Sequence, residues 1–203
     1  MTEALSPCGR GRRALVAATV AAPFVATWPR AAFAGAQVEE PLADAAPPKP
    51  TFTDFYQRLA YLRWLGAMSD RLRRQKTELV TRVEFLQTLW YESKRAGLEP
   101  ALLLGLVQVE SNFRKYAISI AGARGYTQVM PFWARLIGDG DVARLFHMQT
   151  NLRFGCLILR HYVDMEHGDL FMALGRYNGS RGRPEYPDAV FSSQRLWLHA
   201  PPS

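Results

Sequence analysis

Glu110 is the residue of this sequence best placed to move a proton. It closes the apolar run Leu102-Leu-Leu-Gly-Leu-Val-Gln-Val-Glu110-Ser111-Asn112-Phe113. Pro100, with its fixed φ and missing N–H, suits the first position of a helix through that run. Helical spacing puts Glu110 on the face of Leu106, Val107 and Phe113, and a carboxylate there is costly unless it is paired or held neutral by a raised pKa. Held neutral, it is a general acid. The plainer alternative is a structural ion pair with Arg114 or Arg124, and helix geometry alone leaves the two readings level.

Few other residues compete for chemistry. His161, Asp164 and His167 share a predicted helix, but the six-residue histidine spacing places them badly for a common ligand, so no metal site and no cofactor is expected. Cys156, within Phe154-Gly-Cys-Leu-Ile-Leu159, reads as a buried inert thiol. Trp90, Phe132, Trp133 and Tyr162 are aromatic at helical spacing, which marks core more often than ligand stacking. Arg181 and Arg183 lie in a late loop that is either solvated or faces acidic groups.

The elements that must position Glu110 are all helical. Residues 1–34 carry Arg10, Arg12 and Arg13 before the apolar run Ala14–Ala26, then Ala32-Phe33-Ala34, the pattern of a cleaved secretory signal. The run is short and broken by Pro23, so no stable membrane anchor is expected. Removing it takes away four arginines and one glutamate, leaving 21 basic and 17 acidic side chains in place of 25 and 18. That mild positive balance lacks a dense basic cluster, and nucleic acid is excluded as a partner. Residues 35–52 form a Pro/Ala-rich linker. Periodicity from Phe55 through Leu65 gives one helix, with Ser69 an expected N-cap for a second that runs through Leu79, Val83, Leu86 and Trp90 and stops at Gly97. Residues 53–97 thus form N-terminal helices packing on a core at 98–191. Within that core, short helices are expected at Phe132–Ile137, Asn151–Glu166 and Leu170–Tyr177, the last capped by Asp169. Residues after Tyr177 read as loop, and 192–203 as a tail. No strand or repeat emerges, and the fold class is all-α.

In order along the chain, Glu110-Ser111-x-Phe113, Ser119, Ala121-Gly-Ala-x-Gly125-x-x-Gln128-x-Met130-Pro131, Asn151-x-x-x-Gly155, Ala173-x-x-x-Tyr177-Asn178-Gly179 and Tyr186-Pro187-x-x-Val190 resemble the motifs of the soluble lytic transglycosylase family. The resemblance implies a lysozyme-like helical fold and peptidoglycan glycan strands as partner, and the signal, cleaved near Ala34, gives the expectation of a periplasmic location. The resemblance also implies Glu110 as the single catalytic acid/base. It further implies Ser119, Gln128, Met130, Tyr177 and Asn178 as substrate-binding residues, with Tyr177 near the catalytic carboxyl. Two positions depart from the family: Tyr126-Thr127 where Leu-Met is usual, and Asn178-Gly-Ser where Asn-Ala-Gly is usual. A small polar Thr127 is expected to alter a sugar subsite.

Two-carboxyl glycosidases need a second acid, and none occurs between Glu110 and Asp139. The layout fits a one-carboxyl mechanism, and the resemblance implies that it cleaves the MurNAc–GlcNAc β-1,4 bond, the sugar's own C6 hydroxyl attacking to leave a 1,6-anhydromuramic end. A muramidase using water, or a wall-binding scaffold without turnover, are the alternatives.

Overall fold

The computed structural model describes residues 47–198, so the signal expected at 1–34 and most of the linker lie outside the described residues. The elements are α1 (Phe55–Leu72), α2 (Leu79–Arg95), α3 (Pro100–Ser111), α4 (Pro131–Ile137), a 3₁₀ turn at Val142–Phe146, α5 (Met148–Met165), α6 (Leu170–Asn178) and α7 (Glu185–Trp197). Among the described residues there is no strand, only antiparallel bridges joining Ile118 to Arg124 and Arg124 to Val129. The architecture is all-α, as the periodicity indicates.

Helix α1 starts at Asp54, whose side chain accepts from Gln57 N at 2.8 Å. It runs past Gly66 and Ser69, so Ser69 is not an N-cap. Instead its hydroxyl accepts from the buried Arg82 guanidinium at 2.9 Å, tying α1 to α2. The break comes later, and α2 is capped by Glu78, whose carboxylate accepts from Val80 N and Thr81 N. It ends in the αL Gly97, φ +64°.

Helix α3 is the axis of the core. Pro100 occupies its first turn, and Leu103, Leu104 and Leu106 are fully buried, each contributing about 1.5–3 kcal/mol. It ends at Ser111 because Asn112 and Phe113 turn left-handed, at φ 47° and 62°. Glu110 therefore sits in the last turn. Phe113 is not one turn further along its stripe but folds back against Phe85 and Trp197.

The C-terminal stretch corrects the expectation of loop and tail. Residues 185–197 are helical, and α7 lies against α3 so closely that a Cβ on Gly105 would stand 2.7 Å from Gln194 N and 2.9 Å from Val190 O. Pro187 is accommodated in the first turn, where no backbone N–H is needed. Trp197 is buried, and its indole donates to Gln108 Oε1 at 2.6 Å.

Helices α2, α5 and α6 complete the shell around α3. A smaller cluster of Val129, Trp133, Ala134, Leu145, Phe154 and Ile158 joins α4 and the 3₁₀ turn to α5. Asp169 caps α6 as expected, accepting from Met172 N at 3.0 Å.

Candidate active site

Glu110 lies at the C-terminal end of α3 and is half-buried. Its partner is neither Arg114 nor Arg124. The Arg114 guanidinium donates to the Ser111 carbonyl at 2.9 Å, and that of Arg124 lies over the Phe146 ring. Instead Tyr186, in the first turn of α7, donates its hydroxyl to Glu110 Oε1 at 2.5 Å. Burial pushes the Glu110 carboxyl up to about 7, and the Tyr186 bond offsets only part of that. No cation or second carboxylate contributes to the shift. The acids that follow in the sequence are occupied elsewhere: Asp139 pairs with Arg144, and Asp141 caps the 3₁₀ turn through Ala143 N.

Tyr177 is expected beside the carboxyl, and the Glu110 charge does help raise its phenol well above the usual range, after burial. Its hydroxyl, however, donates to the Thr127 carbonyl at 2.7 Å. Tyr177 thus braces the loop and Tyr186 bonds the acid. Tyr186 stands in the quoted closing motif but outside the expected site residues. Its signal was a tyrosine just before a proline, a residue that a helix accepts in its first turn.

The loop between α3 and α4 carries the remaining site residues and is fixed from several sides. Ser111 donates to the Tyr126 carbonyl at 2.7 Å. Ser119 Oγ accepts from Ala123 N at 3.0 Å, which closes a turn and leaves its O–H available as a donor. Gln128, at φ 50°, spends its amide N–H groups on the carbonyls of Gly125 and Ala117, at 2.9 and 3.2 Å. Met130 is half-buried against the smaller cluster. Asn178 is exposed and donates to Ser180 Oγ at 3.0 Å. The Arg181 guanidinium is engaged by Glu166 at 2.8 and 2.9 Å, and Arg183 is exposed.

The buried anchor of this loop is Asn151 on α5. Its Oδ1 accepts from Thr127 N at 2.9 Å, and its Nδ2 donates to the carbonyls of Arg124 and Leu145 at 2.9 and 2.8 Å. Thr127 is 0% exposed. A Cβ on Gly155 would stand 2.6 Å from its Cγ2, and its hydroxyl donates to the Asn151 carbonyl at 3.0 Å. Thr127 therefore does not line a sugar subsite; it is packed between the loop and α5.

No group of His, Cys, Asp and Glu suited to hold a metal ion occurs among the described residues, and no described helix is long and apolar enough to cross a membrane. Cys156 is buried, and burial pushes its thiol well up.

A buried carboxyl at a helix end, inside a lysozyme-like helical shell, defines the class of domain. Residues 88–188 match the model of the transglycosylase SLT domain, and the chain belongs to that family. The membrane-bound lytic murein transglycosylase C of Actinobacillus pleuropneumoniae is 39% identical over 84 residues, covering 37% of this chain and 23% of that protein. The transglycosylase of Enterobacteria phage PRD1 is 30% identical over 104 residues, covering 51% of this chain and 38% of that protein. An inactive mutant of the lytic transglycosylase Slt from Pseudomonas aeruginosa superposes with a TM-score of 0.51 at 22% identity, over 69% of this chain and 29% of that one. The chain thus spans under two fifths of the length of these relatives.

Proposed function

We propose that this domain is an exported peptidoglycan lytic transglycosylase, cleaving the MurNAc–GlcNAc β-1,4 bond with Glu110 as its only acid/base. The observation that carries the reading is the Glu110 carboxyl itself, raised to about 7 by burial and hydrogen-bonded to Tyr186, with no second carboxylate among the described residues contributing to that shift. At neutral pH a substantial fraction is protonated, as a general acid requires.

Because Tyr186 donates to Oε1, the carboxyl proton resides on Oε2. That proton passes to the glycosidic oxygen as the bond to the anomeric carbon breaks, releasing the GlcNAc hydroxyl. The Glu110 carboxylate then takes the proton of the C6 hydroxyl while that oxygen bonds to the anomeric carbon. The ring so formed is the 1,6-anhydro end, and Glu110 returns to its protonated state without water. An intramolecular nucleophile carries an effective molarity of up to ~10⁵–10⁸ M, which compensates for the missing base carboxylate. Ser119, with its O–H free to donate, would hold the muramic residue, and Asn178 and Met130 would border the glycan. The Gln128 amide is committed to the loop backbone, so its part is to shape that border.

The test is digestion of purified sacculi with mass analysis of the products. Anhydromuropeptides, lighter by one water than hydrolytic products, are expected from the wild type and absent with Glu110→Gln. Reducing muramic ends would assign a muramidase, and no product at all a scaffold.

A further inference from the structure

Three cations gather at the loop that carries Ser119 without a carboxylate to pair with. The Lys115 ammonium lies 5.3 Å from the Tyr116 ring centroid, the Tyr116 and Phe146 rings are 5.9 Å apart, and the Arg124 guanidinium lies 5.5 Å from the Phe146 ring. The result is a strip of cation, ring, ring, cation. Lys76 joins it from the segment after α1, 4.5 Å from the Tyr126 ring centroid and bonded to its hydroxyl at 2.7 Å.

None of these cations forms an ion pair among the described residues. The carboxylate whose field reaches Tyr126 is that of Glu84, and it accepts from Gln149 at 3.1 Å. Arg124 makes one long side-chain hydrogen bond, 3.4 Å to the Val142 carbonyl, and its Nε has no partner. Burial, and then the neighbouring Lys115 charge, lower the Lys76 ammonium to about 8. Like charges held this close repel each other unless an anion arrives between them. Tyr116 is 70% exposed, so the strip is open to a ligand.

We propose that Lys76, Lys115, Tyr116, Arg124 and Phe146 form a platform for the carboxylates of the peptide stem carried by the glycan. The inference rests on the peptidoglycan reading above. The strip's chemistry suits that ligand: the rings cover the apolar faces of a sugar or peptide, and the cations take its carboxylates, Arg124 through its planar fork. Lys115 and Tyr116 precede Ser119 in its loop and Arg124 follows it, while Tyr126, which holds Lys76, accepts through its carbonyl from Ser111, the neighbour of Glu110.

The test uses the full chain carrying Glu110→Gln, which binds without turnover. Its affinity is measured for purified glycan strands with stems and for the same strands after an amidase has removed them. Stem-bearing strands should bind roughly tenfold more tightly, with the preference shrinking as salt is raised. Adding Lys115→Glu, at a half-buried position, or Tyr116→Ala, at an exposed one, should bring the two affinities together while the protein stays folded, as a cooperative thermal melt checks. Equal binding of both strands by the parent protein overturns the platform alone, as does a preference that survives both substitutions. Binding of neither strand overturns the peptidoglycan reading and the platform with it. Capture by anionic vesicles that the same substitutions abolish, beside stem-blind glycan binding, would reassign the strip to a lipid surface.

Discussion

The hydroxyl of Tyr186 and the carboxyl of Glu110, 76 residues apart in the chain, meet at 2.5 Å between the first turn of α7 and the last turn of α3. Burial raises the acid and the hydrogen bond lowers it. Burial wins, and the acid is left near neutrality with one oxygen fixed.

A raised carboxyl makes the folded state bind more protons than the unfolded one. Between the ordinary value of 4.5 and about 7, stability therefore falls as pH rises, by up to about 3 kcal/mol. Below 4.5 the group costs nothing. Denaturant unfolding at pH 5 and pH 8 should show Glu110→Gln gaining on the wild type by that amount at the higher pH. Parallel stability profiles would mean that the carboxyl titrates normally. Turnover should fall as pH climbs past about 7, where the acid is lost.

Tyr186→Phe removes the bond that lowers the acid. The alkaline limb of the rate profile should move to higher pH, and turnover should fall roughly tenfold to a hundredfold as the carboxyl loses its orientation. Folding stability should change by only about 1 kcal/mol. A profile unmoved in pH would show that the tyrosine does not govern the acid.

Gly105→Ala pushes a methyl into the backbone of α7 at Gln194 and Val190. Thermal unfolding should show a loss of about 1–3 kcal/mol, and activity should drop because Tyr186 rides on the displaced helix. At the exposed Gly66 in α1, by contrast, an added methyl would meet nothing within 4 Å. Gly66→Ala should be stabilising by about 0.5–1 kcal/mol with normal activity.

Asn151→Ala strands the Thr127 N–H and the carbonyls of Arg124 and Leu145. Each buried unpaired group costs about 1–3 kcal/mol, so the loss should reach about 3 kcal/mol or more in a denaturant melt. Asn151→Asp should be worse, since a carboxylate would face two carbonyls. A mild effect from either would mean that the loop is anchored elsewhere.

The place of Glu110, enclosed in the last turn of α3, was legible because a single acid ended an apolar run. Asp169 and Gly97 were legible because caps and αL positions are local chemistry. Ser69 misled because a hydroxyl that looks like an N-cap was serving Arg82, a partner 13 residues on. The α7 helix was hidden by Pro184 and Pro187, which read as loop although a proline in a first turn breaks no hydrogen bond. Thr127 looked like a subsite change and proved to be buried, since a residue's facing depends on the tertiary position of α5. Ser119 and Gln128, expected as substrate-binding residues, each also make a bond that holds the loop, so Ser119→Ala and Gln128→Ala should lower stability in a thermal melt as well as turnover.

The order of these elements along the chain makes the acid conditional. The tyrosine that bonds Glu110 sits on α7, the last of the described helices. Undocked from Gly105, that helix would leave the glutamate without its hydroxyl partner and one side of α3 open to water, where a carboxyl ionises in the ordinary range. The last described helix to dock is thus the one that completes the acid.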